Sequence, residues 1–557
     1  MAEEASARMA TPRLRPIVEL GAELGLAPAD LEPYGRDVAK IGWEAIARAR
    51  ARPRGSLVLV TAVTPTAEGE GKTTIAIGLV DALRRLGVRA VATLRQPSLG
   101  PVFGRKGCGS GGGRAQVVPA ERMNLHLTGD FHAVTAAHDL LAALVDNHLN
   151  HGNALGLEPG SIVWPRALDV NDRALRDVVV GLGGRANGPV RETAFVITAA
   201  SEVMAVLALA GDVGDLRGRL GRIVVGRRKD GSPATAEDLH ATGAMAALLV
   251  DAMKPNVLQT LEGTPVLVHA GPYGNVSQGA SSVVADRVAL GLAEVVVTEA
   301  GFGADLGAEK FFDLKCRQSG LWPAAAVLVA TVRALKRHGT STRAPDEEDV
   351  AAVRRGAENL ARHLDILRAF EVPVVVAVNV HATDTAAELD AVCEAAKAEG
   401  AAAAVAARPY AEGGAGAVDL ARAVTVTVAA REREQPVLLY PDALPLAAKI
   451  EAIATRVYGA AAVEYSHAAM TQMDDAERLG FGRLPVCVAK THLSLSHDPL
   501  LGPSPRGFRF PVRELRTNAG AGFVTAVAGD TQLMPGLPAR TRAESIDVDA
   551  DGRIVGL

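Results

Sequence analysis

Short aliphatic runs alternate with longer Ala/Leu-rich stretches of helical spacing along most of the chain. The runs predict strands at Ser56 to Val63, Arg89 to Leu94, Ala194 to Thr198, Thr264 to Ala270 and Ala293 to Thr298. Further strands are predicted at Ala325 to Thr331, Pro373 to Val380, Ala402 to Ala407 and Leu484 to Ala489. Several lack polar alternation (LVLV, VVVT, PVVVAV), the pattern of parallel strands covered on both faces. Helices are expected at Gly71 to Leu86, Ser201 to Ala210, Glu348 to Phe370 and Thr385 to Ala398. This order predicts an α/β fold with crossover connections and a mainly parallel sheet. The tail, Gly507 to Gly529, reads instead as antiparallel strands around a Gly-rich turn. Boundaries are placed near Glu371 and Ala461, giving segments 1–370, 371–460 and 461–557.

Composition narrows the field. The chain has 557 residues, with 59 Lys+Arg against 63 Asp+Glu, a formal charge of −4. At ~150 residues per domain, about three or four domains are expected. The mild acidity argues against a nucleic-acid binder. The basic run Arg217 to Gly231 has no aromatic residue and reads as a solvated face. Cys108, Cys316, Cys393 and Cys487 form no C-x-x-C pair, so no zinc ribbon or disulfide framework is expected. The start lacks the pattern of a secretory signal, and the apolar stretch Ala194 to Ala210 is broken by Thr198, Ser201 and Glu202. A cytoplasmic protein without a membrane partner is expected.

The strongest chemical signal is SLVLVTAVTPTAEGEGKTTIAIGLVDAL, Ser56 to Leu83. An apolar strand enters a small-residue loop, then Gly-Lys-Thr-Thr opens an amphipathic helix, the context of a phosphate-binding P-loop. Backbone N–H groups of Gly69, Glu70, Gly71 and Lys72 are expected to face phosphate oxygens. Lys72 would reach the β/γ oxygens, and Thr73 would offer its hydroxyl to Mg²⁺. Thr66 stands where the motif's first Gly belongs. ATPase, kinase, switch and ligase all remain open at this point. The next strand ends at Arg95, whose fork suits a phosphoryl group or an acid substrate, unless it is a plain surface arginine.

Further blocks follow: LRQPSLGPVFG, FGRKGCGSGGG, NLHLTGDFHAVTAAHDLL, WPRALDVNDRALR, VVVTEAGFGADLGAEKFFDLKCR, LPVCVAKTHLSLS and MPGLP. Together with TPTAEGEGKTT, they resemble the formate–tetrahydrofolate ligase family in order, from about Val60 to Pro538. The resemblance implies a P-loop-type nucleotide and formate domain plus two smaller α/β domains, usually in a homotetramer. It implies ligation of formate to tetrahydrofolate with MgATP, through formyl phosphate, and activation by a monovalent cation such as K⁺ or NH₄⁺. Thr66, Ala67, Glu68, Gly69, Glu70, Gly71, Lys72 and Thr73 would carry ATP. Lys72 and Arg95 would act on the transferring phosphoryl, and Asp130 on the acid–base or cation environment. Phe302 and Gly303 would line the formate end.

His381 and Tyr410 stand where the family stacks the pterin between Phe and Trp. Gln96 replaces the usual Glu, and Glu412 a usual Lys. His and Tyr offer less apolar stacking area, so weaker folate binding is expected. The Gly-rich stretch Lys106 to Gly113 suits either a flexible loop or close backbone approach. His126, Asp130 and His132 lack a zinc-ligand pattern. Glu299 and Asp305 flank GFG, where they could serve Mg²⁺ or folate, or accept backbone hydrogen bonds. Two alternatives stay open: a ligase of the same fold for another carboxylate or modified folate, and a non-catalytic nucleotide-dependent switch.

Overall fold

The computed structural model describes residues 14–66, 68–104, 109–344, 346–431, 437–529 and 531–557. Ala67, Lys106, Gly107 and Cys108 lie outside the described residues. The centre of the fold is a run of parallel strands: β1 Ser56–Ala62, β2 Ala90–Leu94, β3 Pro265–Val268, β4 Val295–Glu299, β5 Ala325–Ala330, β6 Val374–Asn379 and β7 Ala403–Ala407. Their spatial order is β3-β2-β4-β1-β5-β6-β7. Beyond β3 the sheet turns antiparallel through Asn256–Thr260, which pairs with Ala39–Ile41 and Ala115–Val118. Those edge strands are short and carry polar residues, and no apolar run announces them.

Alternation along β1 shows why the sheet is buried on both faces. Leu57 and Leu59 join one core, with Val296, Leu328, Leu360 and Leu364. Val58 and Val60 join the other, with Ile75, Leu79, Val80 and Leu83 of helix α1, Lys72–Arg85. Successive side chains point to opposite faces, so an all-apolar strand serves two layers of helices. On the first face lies α2, Val350–Arg368, capped by Asp349, whose carboxylate accepts the Ala352 N–H at 2.9 Å.

The strands β6 and β7 follow residue 371 and extend the sheet that holds β5. Residue 461 precedes Ala462–Tyr465, which pairs in parallel with Arg509–Val512. In the tail, Glu514–Asn518 and Phe523–Val527 form the expected antiparallel pair, and Val486–Ala489 adds in parallel. The Ala194–Ala210 stretch becomes strand Phe195–Ile197 and helix Glu202–Leu209. Among the described residues no helix is long and apolar enough to cross a membrane. The basic run is exposed at Arg217 and Arg222, but Arg219 is buried and paired with Asp215 at 3.0 Å.

Candidate active site

The order of the strands reverses direction at β1: the chain passes over β4 to reach β2 on one side, and β5 lies on the other. In such sheets the crevice at the strands' carboxyl ends is the ligand site. The loop after β1 lies there and is held from both ends. At its start, the Thr64 N–H donates to Asn359 Oδ1 at 3.1 Å, and its hydroxyl lies 3.0 Å from His363 Nε2. Both partners sit on α2. At its end, Gly69 and Gly71 adopt φ of +79° and +74°, conformations that favour glycine. A Cβ at Gly71 would also run into the Asn379 side chain at the end of β6.

Between these points Glu70 bridges the loop. Its carboxylate accepts the Thr66 N–H at 2.7 Å, the Thr66 hydroxyl at 2.8 Å and the Thr331 hydroxyl at 2.5 Å. Thr66 thus gains a charged acceptor where the P-loop pattern has a glycine. The backbone C=O of Glu70 accepts from Asn379 Nδ2 at 3.1 Å. Glu68 pairs with Arg337 at 2.9 Å.

Helix α1 then begins, and its unpaired N-terminal amides and dipole favour an anion. Thr73 donates its hydroxyl to Glu299 Oε2 at 2.8 Å, at the end of β4. A hydroxyl beside a carboxylate is an oxygen donor set that suits Mg²⁺. Burial pulls the Lys72 ammonium below its ordinary value; Glu299, Glu70 and Asp305 oppose this, while Arg95 adds to it. Arg95 follows β2 directly. Its Nη1 donates to Pro272 O at 3.1 Å, while its buried Nε has no hydrogen-bond partner. Burial lowers Arg95 too, and Glu299 counters it. The guanidinium lies over Gly301, where a Cβ would come within 3.1 Å of Nη2. Glu299 thus acts on both cations, while Glu70 and Asp305 act on Lys72 alone.

The segment after β4 closes one wall. Phe302 holds φ +61° without being glycine, a strained conformation of the kind found at ligand clamps. Its ring stacks on His492 with centroids 4.8 Å apart and meets Tyr273 edge-on at 6.4 Å. A Cβ at Gly303 would lie 2.6 Å from Asp305 Oδ1, so glycine is needed there. Asp305 Oδ2 accepts from Lys490 Nζ at 2.6 Å in a fully buried pair, while Oδ1 is buried without a partner. Gln96, beside Arg95, is buried with both amide atoms unpartnered.

Other expected positions fall elsewhere. Asp130 contacts Lys40 Nζ at 2.7 Å, Asn256 Nδ2 at 2.8 Å and Thr128 Oγ1 at 3.2 Å, none of them part of the P-loop cluster. These are the contacts of a buried counter-ion. His126 and His132 are exposed beside it. His381 follows β6 and Tyr410 follows β7, so both leave the same edge of adjacent strands. Tyr410 is 61% exposed, enough to offer a ring face. Its carbonyl accepts the Arg114 N–H at 2.8 Å, and its ring lies over Gly112, where a Cβ would be 3.1 Å away. Gly112 and Gly113 thus permit close backbone approach to Tyr410. Glu412, two residues further on, is exposed.

Glu70 as bridge, Asn359 and His363 as supports, and Lys490 and His492 as contributors from the C-terminal segment were not predicted from sequence. Glu70 stood in the P-loop block and Lys490 and His492 in the LPVCVAKTHLSLS block, but Asn359 and His363 lay in no block that carried a signal.

The family model described as formate–tetrahydrofolate ligase matches residues 4–557. A formate–tetrahydrofolate ligase of Saccharopolyspora erythraea is 56% identical over 556 residues, covering 98% of this chain and 97% of the relative. One from a Roseiflexus species is 55% identical, covering 98% of each chain. One from Paracoccus denitrificans is 55% identical, covering 97% of each.

Proposed function

The chain belongs to the formate–tetrahydrofolate ligase family, which joins formate to tetrahydrofolate at the expense of ATP, and we propose that it does so through formyl phosphate made between Lys72 and Arg95. The observation that carries this reading is the placing of Lys72 at the start of α1 and of Arg95 directly after β2, near enough for their charges to act on each other, beside the loop bridged by Glu70.

Formate is a poor acylating agent because its leaving group is an oxide or hydroxide. In the proposed first step a formate oxygen attacks the γ-phosphorus of ATP, and the β–γ bridging oxygen leaves with ADP. The N-terminal amides of α1 hold the phosphates, and Lys72 and Arg95 stabilise charge on the moving phosphoryl. When bound with ATP, Mg²⁺ adds charge neutralisation at the Thr73–Glu299 end. In the second step N10 of tetrahydrofolate attacks the formyl carbon, the C–O bond to phosphate breaks, and orthophosphate departs with the electron pair and takes up the proton that N10 releases. The Phe302–Gly303 wall is proposed to exclude water from the acyl phosphate. His381 and Tyr410 are proposed to flank the pterin. Asp130 enters as the counter-ion of Lys40, not as an acid–base group. Activation by K⁺ or NH₄⁺ and a homotetrameric, cytoplasmic enzyme complete the proposal. Turnover in K⁺ against Na⁺, together with light scattering, tests the first two.

ADP release measured with formate, with and without tetrahydrofolate, tests the function. Turnover that requires both supports it. Release that ignores tetrahydrofolate points to another acceptor, and release that ignores formate points to a switch.

A further inference from the structure

Away from the P-loop, a cleft of about 320 Å³ opens between α2 and the segment 455–460. Its walls include three arginines, Arg362, Arg456 and Arg506, and one acid, Asp365. That volume lies at the small end of ligand pockets.

Cations outnumber acids in the lining: three arginines face Asp365, with Glu358 beside Arg506. Arg362 is 6% exposed, and its Nε is buried without a partner. One weak bond, Nη2 to Val457 O at 3.3 Å, serves its fork. Arg456 spends Nη1 on Leu439 O at 2.6 Å. Arg506 meets Glu358 only at 3.9 Å, with both side chains 60% exposed. Asp365 already accepts from Arg368. Burial, and then the neighbouring Arg506, press Arg362 below its ordinary value, while Asp365 and Glu358 oppose this without cancelling it. Gly459 adopts φ +79°, and a Cβ there would lie 2.7 Å from Arg362 Nη2, so the glycine leaves the guanidinium room to lie against the backbone.

A buried, half-satisfied guanidinium is costly unless something accepts its hydrogen bonds. Planar forks suit phosphate and carboxylate oxygens. We propose that the Arg362–Arg456–Arg506 cleft is a second anion site, separate from the P-loop, that takes a compact oligoanion carrying adjacent phosphate or carboxylate groups.

Isothermal titration calorimetry of the full chain with inorganic pyrophosphate, without added Mg²⁺, counts the sites. We expect one equivalent to survive saturating ATP. That equivalent weakens at least tenfold in an Arg456→Gln/Arg506→Gln variant. Both residues are exposed, so the variant is expected to fold and to keep its rate of formyltetrahydrofolate synthesis. Arg506→Gln alone, which removes only the 3.9 Å contact, is the second variant, expected to weaken binding at least threefold. Citrate at matched ionic strength distinguishes the sources: tighter pyrophosphate identifies a phosphate ligand, tighter citrate an oligocarboxylate. Complete displacement by ATP, or unchanged affinity in both variants, overturns the proposal.

Discussion

Glu70 offers the sharpest perturbation of the site. Its carboxylate accepts three hydrogen bonds, from the Thr66 N–H, the Thr66 hydroxyl and the Thr331 hydroxyl. In Glu70→Ala the two hydroxyls can turn to other acceptors, but the Thr66 N–H cannot move without the loop. Bonds to a charged acceptor contribute ~1.5–3 kcal/mol each. Losing the amide bond and part of the hydroxyl bonds therefore costs about 3 kcal/mol of loop order, roughly 100-fold in affinity for ATP. Glu70→Gln keeps a neutral oxygen toward Thr66 and turns an NH₂ toward Thr331, which can accept it. About half the cost is expected, roughly a tenfold rise in KM for ATP. Steady-state kinetics with ATP varied at saturating formate and tetrahydrofolate reads this directly. The KM for formate should move less than threefold, because Glu70 does not touch that end. A Glu70→Ala enzyme of native melting temperature whose KM for ATP stays within twofold would refute the bridging role.

Lys72→Ala should depress turnover at saturating ATP by roughly 100-fold, and Arg95→Ala should lower kcat/KM for formate by a similar factor, since each removes charge from the transferring phosphoryl. Near wild-type kinetics would remove either residue from the site. Glu202 accepts two amides, Gly520 at 2.8 Å and Ala521 at 3.1 Å, and burial pushes its carboxyl up to about 7 from 4.5. The folded state therefore holds a proton that the unfolded state has released, so this group loses stability as pH rises from 4.5 to 7. Glu202→Gln should match wild type near pH 4.5 and gain up to about 3 kcal/mol relative to it above pH 7, measured by urea unfolding across that range. A constant difference would show that Glu202 does not titrate there. At the folate end, the Glu412 carboxylate repels a polyglutamate tail, so Glu412→Lys should lower the KM for polyglutamylated but not monoglutamylated tetrahydrofolate; equal KM values for both folates in wild type and variant would defeat this charge argument.

What could be read from sequence was what is local. Gly69 to Thr73 form a contiguous motif after an apolar strand, and the loop and α1 follow from it. The parallel strands were legible because burial on both faces leaves an unbroken apolar run. Glu70's bridge was not legible, because its partner Thr331 lies 261 residues away. The Lys490–Asp305 pair spans 185 residues for the same reason. Asp130 took its expected role only from the resemblance, through the TGDFH block. Its partner Lys40 gives no signal near it. Helix Asp130–Asn150 buries Phe131, Val134, Ala137, Leu141 and Val145 at helical spacing, but interleaved His, Asp and Thr residues hide that stripe. The Gly-rich stretch suits a free loop or a close backbone approach on sequence alone, and the Tyr410 ring that decides between them at Gly112 and Gly113 comes from about 300 residues further on.

The central claim is that the one-carbon acid becomes reactive by taking a phosphoryl group between Lys72 and Arg95. Formate labelled with oxygen-18 tests it most directly. Mass spectrometry of the orthophosphate formed during tetrahydrofolate-dependent turnover should find one labelled oxygen per molecule. Orthophosphate free of label, at a normal rate of synthesis, would contradict the account.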